Sequence, residues 1–273
     1  KNAASLWLIF SAEALKPGGS LDELIETSSR FSGELAEGLR ERIYNSVIPL
    51  LADGIVNARS LKKPTAQDLD ETYQMAMHIL FRLLFIAYAE DKDLLPYRSN
   101  GLYRRRSLKT KAQEILGLIE NESDFGKSSD YWDEINRLFR AIELGNSEWE
   151  IPAYDGGLFS TDPEVSKTGT LLTKIKLPNT ILGPVLQDLL LIETDEGLGP
   201  VDFRSIGVRE FGTVYEGLLE SELSLADTDL TVDRQEAYKP AKKGDHVLIS
   251  KGEIYLHNSS GVRKASGSYF TKQ

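Results

Sequence analysis

One stretch governs what this chain can become. Residues 73–89 are apolar on nearly every face of a helix, through Met75, Met77, Ile79, Leu80, Phe81, Leu83, Leu84, Phe85, Ile86 and Tyr88. A surface helix keeps a polar side, so this one must lie at the centre of a fold with other elements around it. Its longest charge-free apolar run, residues 83–89, is far too short to span a bilayer. With 273 residues the chain can bury about three quarters of its unfolded surface, enough for one large core or two modest ones. The central helix is expected to start after Thr65, whose hydroxyl can cap it, and to stop before Pro96.

The flanking sequence supplies the neighbours. Ser20 reads as an N-cap with Glu23 as its capping-box partner, followed by apolar positions at Phe31, Leu35, Leu39, Ile43 and Val47. That stripe predicts a long helix, bent at Pro49. Further helices are expected at residues 109–119, 130–144 and 180–192. Residues 148–170 read as a loop packed through Trp149, Tyr154, Leu158 and Phe159. An amphipathic helix then carries Val208, Phe211, Tyr215, Leu218 and Leu219 on one side. Beyond Leu225 the chemistry becomes that of strands: residues 230–232, then 247–249 running through to 254–256, with turns at 242–245 and 251–252. The fold class is therefore mainly α, a multi-helix bundle-like domain with a small β-hairpin element near the C-terminus. Residues 1–200 are expected to form the helical domain. Residues 201–273 would be a linking helix, the hairpin and the start of a further domain.

Composition excludes several chemistries. Zero cysteine removes disulfides, thiolate metal sites and a thiol nucleophile, and fits a reducing, cytoplasmic setting. His78, His246 and His257 have no metal-ligand spacing, and His78 reads as a satisfied core histidine. There is no nucleophile elbow, no phosphate-binding glycine loop with Lys-Ser/Thr and no dinucleotide fingerprint. Glu90-Asp91-Lys92 matches a fragment of metal-dependent nucleases. Those carboxylates belong on strands, and here the tripeptide ends a helix, so it reads as a solvated turn. Arg82, amid apolar residues, is expected to pair with a carboxylate of a neighbouring helix. Gly212 and Gly217 lower helix propensity and are expected at a close helix–helix contact. No catalytic residue and no metal ligand is assigned.

The net charge of −10 is unevenly distributed. Residues 98–111 hold Arg98, Arg104, Arg105, Arg106, Lys109 and Lys111 with no acidic residue. Residues 234–272 hold eight basic residues, Arg263 and Lys264 among them, against three acidic ones. Such clusters in an acidic chain are either phosphate-facing patches or solvated basic loops.

Four blocks resemble the adenine-N6 DNA methyltransferases of restriction-modification and phage-defence systems, including the type IIG enzymes that join nuclease and methylase in one polypeptide. They are Phe81-Arg82-Leu83-Leu84-Phe85-Ile86-Ala87-Tyr88-Ala89-Glu90-Asp91 with Leu94-Leu95-Pro96; Tyr154-Asp155-Gly156-Gly157-Leu158-Phe159; Phe211-Gly212-Thr213-Val214-Tyr215-Glu216-Gly217-Leu218-Leu219-Glu220; and Arg263-Lys264-Ala265-Ser266-Gly267-Ser268-Tyr269-Phe270-Thr271. The second departs from the family by Asp155 for Asn, and the last by Lys272 for Pro. The resemblance implies that the chain is a helical connector between an upstream nuclease-like region and a downstream methylase. It also implies that Ser268, Tyr269, Phe270 and Thr271 approach S-adenosylmethionine in the parent protein. The connector alone would be catalytically inert and hold no cofactor, since the family's Asn/Asp-Pro-Pro-aromatic motif is missing. Double-stranded DNA is the implied partner, met by Arg98, Arg104, Arg105, Arg106, Lys109, Lys111, Arg263 and Lys264. The acidic face of an adjacent domain is the alternative partner for the first cluster, and a non-enzymatic scaffold in a defence complex is the alternative function.

Overall fold

The computed structural model describes residues 11–154, 156–194, 197–232 and 238–258. Helix α1 (Ser20–Arg42) runs through a π-helical turn (Ile43–Val47) into α2 (Ile48–Ala58). The wide turn ends with the Ile48 amide bonded to the Ile43 carbonyl, immediately before Pro49. Proline has no N–H for the carbonyl four residues back, and its ring crowds that carbonyl, so the register loosens there instead of kinking. The start of α1 differs from expectation. The helix begins one residue earlier, with Gly19 as the cap, which has no side chain to cap with, and the Leu21 amide bonds to the Ala14 carbonyl at 3.3 Å. From Leu35 onward the apolar stripe is buried as expected, whereas Phe31 is 55% exposed.

Helix α3 (Ala66–Asp91) is the centre of the molecule. Thr65 caps it through a reciprocal box: its hydroxyl accepts from the Asp68 amide at 3.2 Å, and the Asp68 carboxylate accepts from the Thr65 amide at 2.9 Å. The helix is buried on most of its surface, with one half-buried line along Gln74, His78, Phe81, Phe85 and Tyr88. Around it come α4 (Gly101–Arg104), α5 (Leu108–Glu120), α6 (Asp130–Leu144), α7 (Lys167–Leu172) and α8 (Asn179–Leu190). The loop from 148 packs as expected, with Phe159 buried and Trp149, Tyr154 and Leu158 partly buried against the core, but it ends at Ser166, which caps α7 through the Gly169 amide where the loop was expected to run to 170.

Arg82 corrects its sequence reading. Its Nε donates to the Leu158 carbonyl at 2.7 Å and its terminal nitrogen to that of Ser160 at 3.3 Å, while the guanidinium lies over the rings of Phe139 and Phe159. Burial pulls its pKa down to about 10. Backbone oxygens and aromatic faces satisfy this cation where a carboxylate was expected. Gly169 permits the arrangement, since a Cβ there would stand 1.9 Å from the Ser160 carbonyl oxygen.

Past α8, β1 (Leu191–Thr194) and β2 (Gly197–Pro200) pair antiparallel, a strand pair not among the expected elements, because Gly197, Gly199 and Pro200 are poor strand formers. Helix α9 (Val208–Leu219) follows, and the Tyr73 hydroxyl bonds to its Leu218 carbonyl at 2.6 Å. Gly217 makes the expected close contact, because a Cβ there would lie 2.1 Å from the Tyr44 hydroxyl oxygen. Gly212 does not: nothing stands within 4 Å of its missing Cβ. The terminal strands are β3 (Ser221–Leu225), β4 (Leu230–Val232), β5 (Tyr238–Pro240) and β6 (Ile254–Asn258). Here the partners differ from the hairpin expected. β6 pairs antiparallel with β3, placing Leu223 opposite Leu256, and residues 247–249 contribute only a bridge from Ile249 to Leu230. The fold is mainly α with small antiparallel strand pairs toward the C-terminus, and its core continues across position 200 through Val201, Phe203, Ile206 and Leu218. Among the described residues no helix is long and apolar enough to cross a membrane.

Candidate nucleic-acid interface

The C-terminal turn of α3, read from sequence as solvated, is buried. Glu90 is fully enclosed and Asp91 nearly so. The Glu90 carboxylate accepts the Tyr103 hydroxyl at 2.6 Å, the Leu108 amide at 2.9 Å and the Lys109 amide at 3.0 Å. It therefore closes the N-terminus of α5, where unpaired amides and the helix dipole favour a negative charge. Burial nonetheless dominates and pushes the Glu90 carboxyl up to about 7. Burial and the facing carboxylate push the Tyr103 phenol up as well. Asp91 accepts the Phe203 amide at 2.7 Å and pairs with Lys109 at 2.5 Å.

These buried carboxylates fix the turn that carries the first basic cluster. Asn100 caps α4 by accepting from the Leu102 and Tyr103 amides, and its own amide reaches the Glu148 carbonyl at 2.9 Å. Ser107 caps α5 through the Thr110 amide, and the hydroxyls of Ser107 and Thr110 both donate to the Arg104 carbonyl at 2.7 Å. On this locked backbone Arg104, Arg105 and Arg106 are exposed, Arg105 with its Nε on the Gly101 carbonyl at 3.2 Å. Arg104 folds back onto the carbonyls of Tyr97 and Arg98, with its guanidinium 5.7 Å from the Tyr97 ring centre. Arg98, with a side chain 65% exposed, pairs with Asp93 at 3.1 Å. An exposed pair of this kind contributes little and exchanges readily for another anion.

The six basic residues of the window thus divide. Lys109 is held by Asp91 and lies 4.9 Å from the Tyr97 ring centre. Lys111 is buried between Glu114 and Glu134, at 2.5 and 2.6 Å, over the Tyr131 ring. Arg98, Arg104, Arg105 and Arg106 remain at the surface. The fold adds a residue that no local pattern announces: Arg204 donates to the Asp91 carbonyl at 2.5 Å and approaches Asp93 at 3.5 Å, so it joins the same face from 98 positions beyond Arg106. Arg263, Lys264, Ser268, Tyr269, Phe270 and Thr271 lie outside the described residues, as does Asp155.

Three of the four blocks singled out in the sequence meet along the half-buried line of α3. Phe81 meets Tyr215 edge-on at 5.3 Å, Tyr88 meets Phe211 at 5.6 Å, and Phe85 meets both Tyr154 and Phe159. An apolar groove of about 810 Å³ runs between α3 and α9. His78 borders it, 3.4 Å from the Ser166 hydroxyl, and burial lowers its pKa. Among the described residues no three His, Asp or Glu side chains gather as a metal site. No protein-family model matches the chain, and neither a curated protein nor a solved structure matches it significantly.

Proposed function

We propose that this chain is the helical connector of an adenine-N6 DNA methyltransferase of the restriction-modification or phage-defence type, and that its arginine turn holds duplex DNA by the phosphate backbone. The observation that carries the DNA role is the group Arg98, Arg104, Arg105 and Arg106, exposed on a turn whose backbone is fixed by Asn100, Ser107 and the buried Glu90. A pre-ordered turn loses little conformational entropy when it meets an anion. Guanidinium groups suit phosphate because their N–H forks match its oxygens. The convergence of three of the four family-like blocks on one line of α3 supports the family reading.

In such an enzyme the connector holds the duplex in register while the methylase extrudes the target adenine, an event that costs a few kcal/mol of unstacking. Phosphate contacts help offset that cost and read no sequence. The connector would join a nuclease-like region to the domain that binds S-adenosylmethionine, in a cytoplasmic protein. The direct test is titration of the chain with a short duplex across a salt series. We expect weak binding that falls steeply with salt; affinity indifferent to salt would remove the phosphate role.

The apolar groove between α3 and α9 favours a second reading, a scaffold for protein partners, since few soluble surfaces leave so large an apolar concavity open. Under that reading the same titration shows no salt-dependent duplex binding.

A further inference from the structure

A second cleft, of about 750 Å³, opens along β6, on the side of the molecule carrying the π-helical turn. Tyr44 and Asn45 of that turn line it, as do Tyr238 and Leu248. Tyr255 and His257 alternate on β6 and so share a face of the strand. Three rings follow one another there: Tyr238 to Tyr255 at 5.0 Å between centres, and Tyr255 to His257 at 5.2 Å with only 32° between their planes. Both nitrogens of His257 have partners, Nε2 the Ser224 hydroxyl at 2.8 Å and Nδ1 the Asn258 carbonyl at 3.1 Å. The Glu222 carboxylate stands 3.9 Å from the same Nε2. The amides of Asn45 and Asn258 line the same cleft. Lys239 on β5, and Lys242 and Lys243 in the turn after it, are exposed.

We propose that this cleft is a stacking site for an unpaired nucleobase of DNA, with Tyr255 and His257 as its platform and Asn45 and Asn258 at the base edge. Consecutive rings on a strand make a surface on which any base can stack, because every base has a π face. The choice of a nucleobase as ligand rests on the reading of the chain as a DNA-contacting connector. The site itself shares no residue with the arginine turn.

The test compares two single-stranded oligodeoxynucleotides of equal length and charge, one with its bases and one fully abasic, binding to the full chain. The base-bearing strand should bind about tenfold more tightly. Tyr255→Ala should erase that preference, Tyr255→Phe should retain it, and Tyr238→Ala, at an exposed position, should reduce it without loss of fold. Equal affinity for the two strands would overturn the proposal, as would a preference that survives Tyr255→Ala. Charge reversal of Arg104–Arg106 distinguishes the two readings. It should weaken duplex binding and leave the preference for bases intact, and a preference that vanished with the arginines would place the bases at the turn and refute the cleft.

Discussion

Glu90 shows how far a residue's environment can depart from its local sequence. Three consecutive charged residues at a helix end suggest solvent, yet the amides that enclose Glu90 come from Leu108 and Lys109, well beyond any local pattern. The consequence is a measurable pH dependence. The native carboxyl titrates at about 7, above its ordinary value of 4.5. Between those values the folded chain keeps a proton that the unfolded chain has released, so this group's contribution to stability falls as pH rises through the window. Glu90→Gln removes the titration. Chemical denaturation of both proteins should show wild type losing about 3 kcal/mol relative to the variant between pH 4.5 and 7. Parallel pH profiles would show that the carboxyl titrates normally. Arg82 was legible as a buried cation, but its carbonyl partners were not, because they belong to a loop that only the fold brings near.

At the level of elements, hydrophobic periodicity carried most of the information. The central helix, its Thr65 cap and α6 follow from residue pattern, because helical periodicity and capping are set within a few turns, and the loop's aromatic residues mark it as packed even though their partners lie far away in sequence. Strand partners are set by the fold, and so β6 was legible as a strand while its pairing with β3 was not. The two glycines of α9 divide for a similar reason. Gly217 faces the Tyr44 hydroxyl, and Gly212 faces open space. Gly212→Ala should raise stability by up to about 1 kcal/mol through helix propensity. Gly217→Ala should lower it by about 1–3 kcal/mol, since Tyr44 must move. Thermal unfolding decides this, and equal shifts for both substitutions would contradict the packing described.

For the whole molecule, the sequence showed where positive charge concentrates but not which charges the fold would neutralise. Lys109 and Lys111 lie in the same basic window as Arg104–Arg106, yet carboxylates on α3, α5 and α6 hold them, and Arg204 joins the surface there from a distant loop. The central claim concerns the arginines that remain. Its most direct test is the salt dependence of duplex binding by the triple variant Arg104→Glu, Arg105→Glu, Arg106→Glu, beside a control reversing the exposed Lys62 and Lys63. Each phosphate that the turn no longer neutralises should reduce the slope of log K against log salt by about 0.9. The account predicts a clearly flatter slope for the arginine variant and an unaltered one for the control. An unaltered slope in the arginine variant would contradict it and assign the turn to a protein interface.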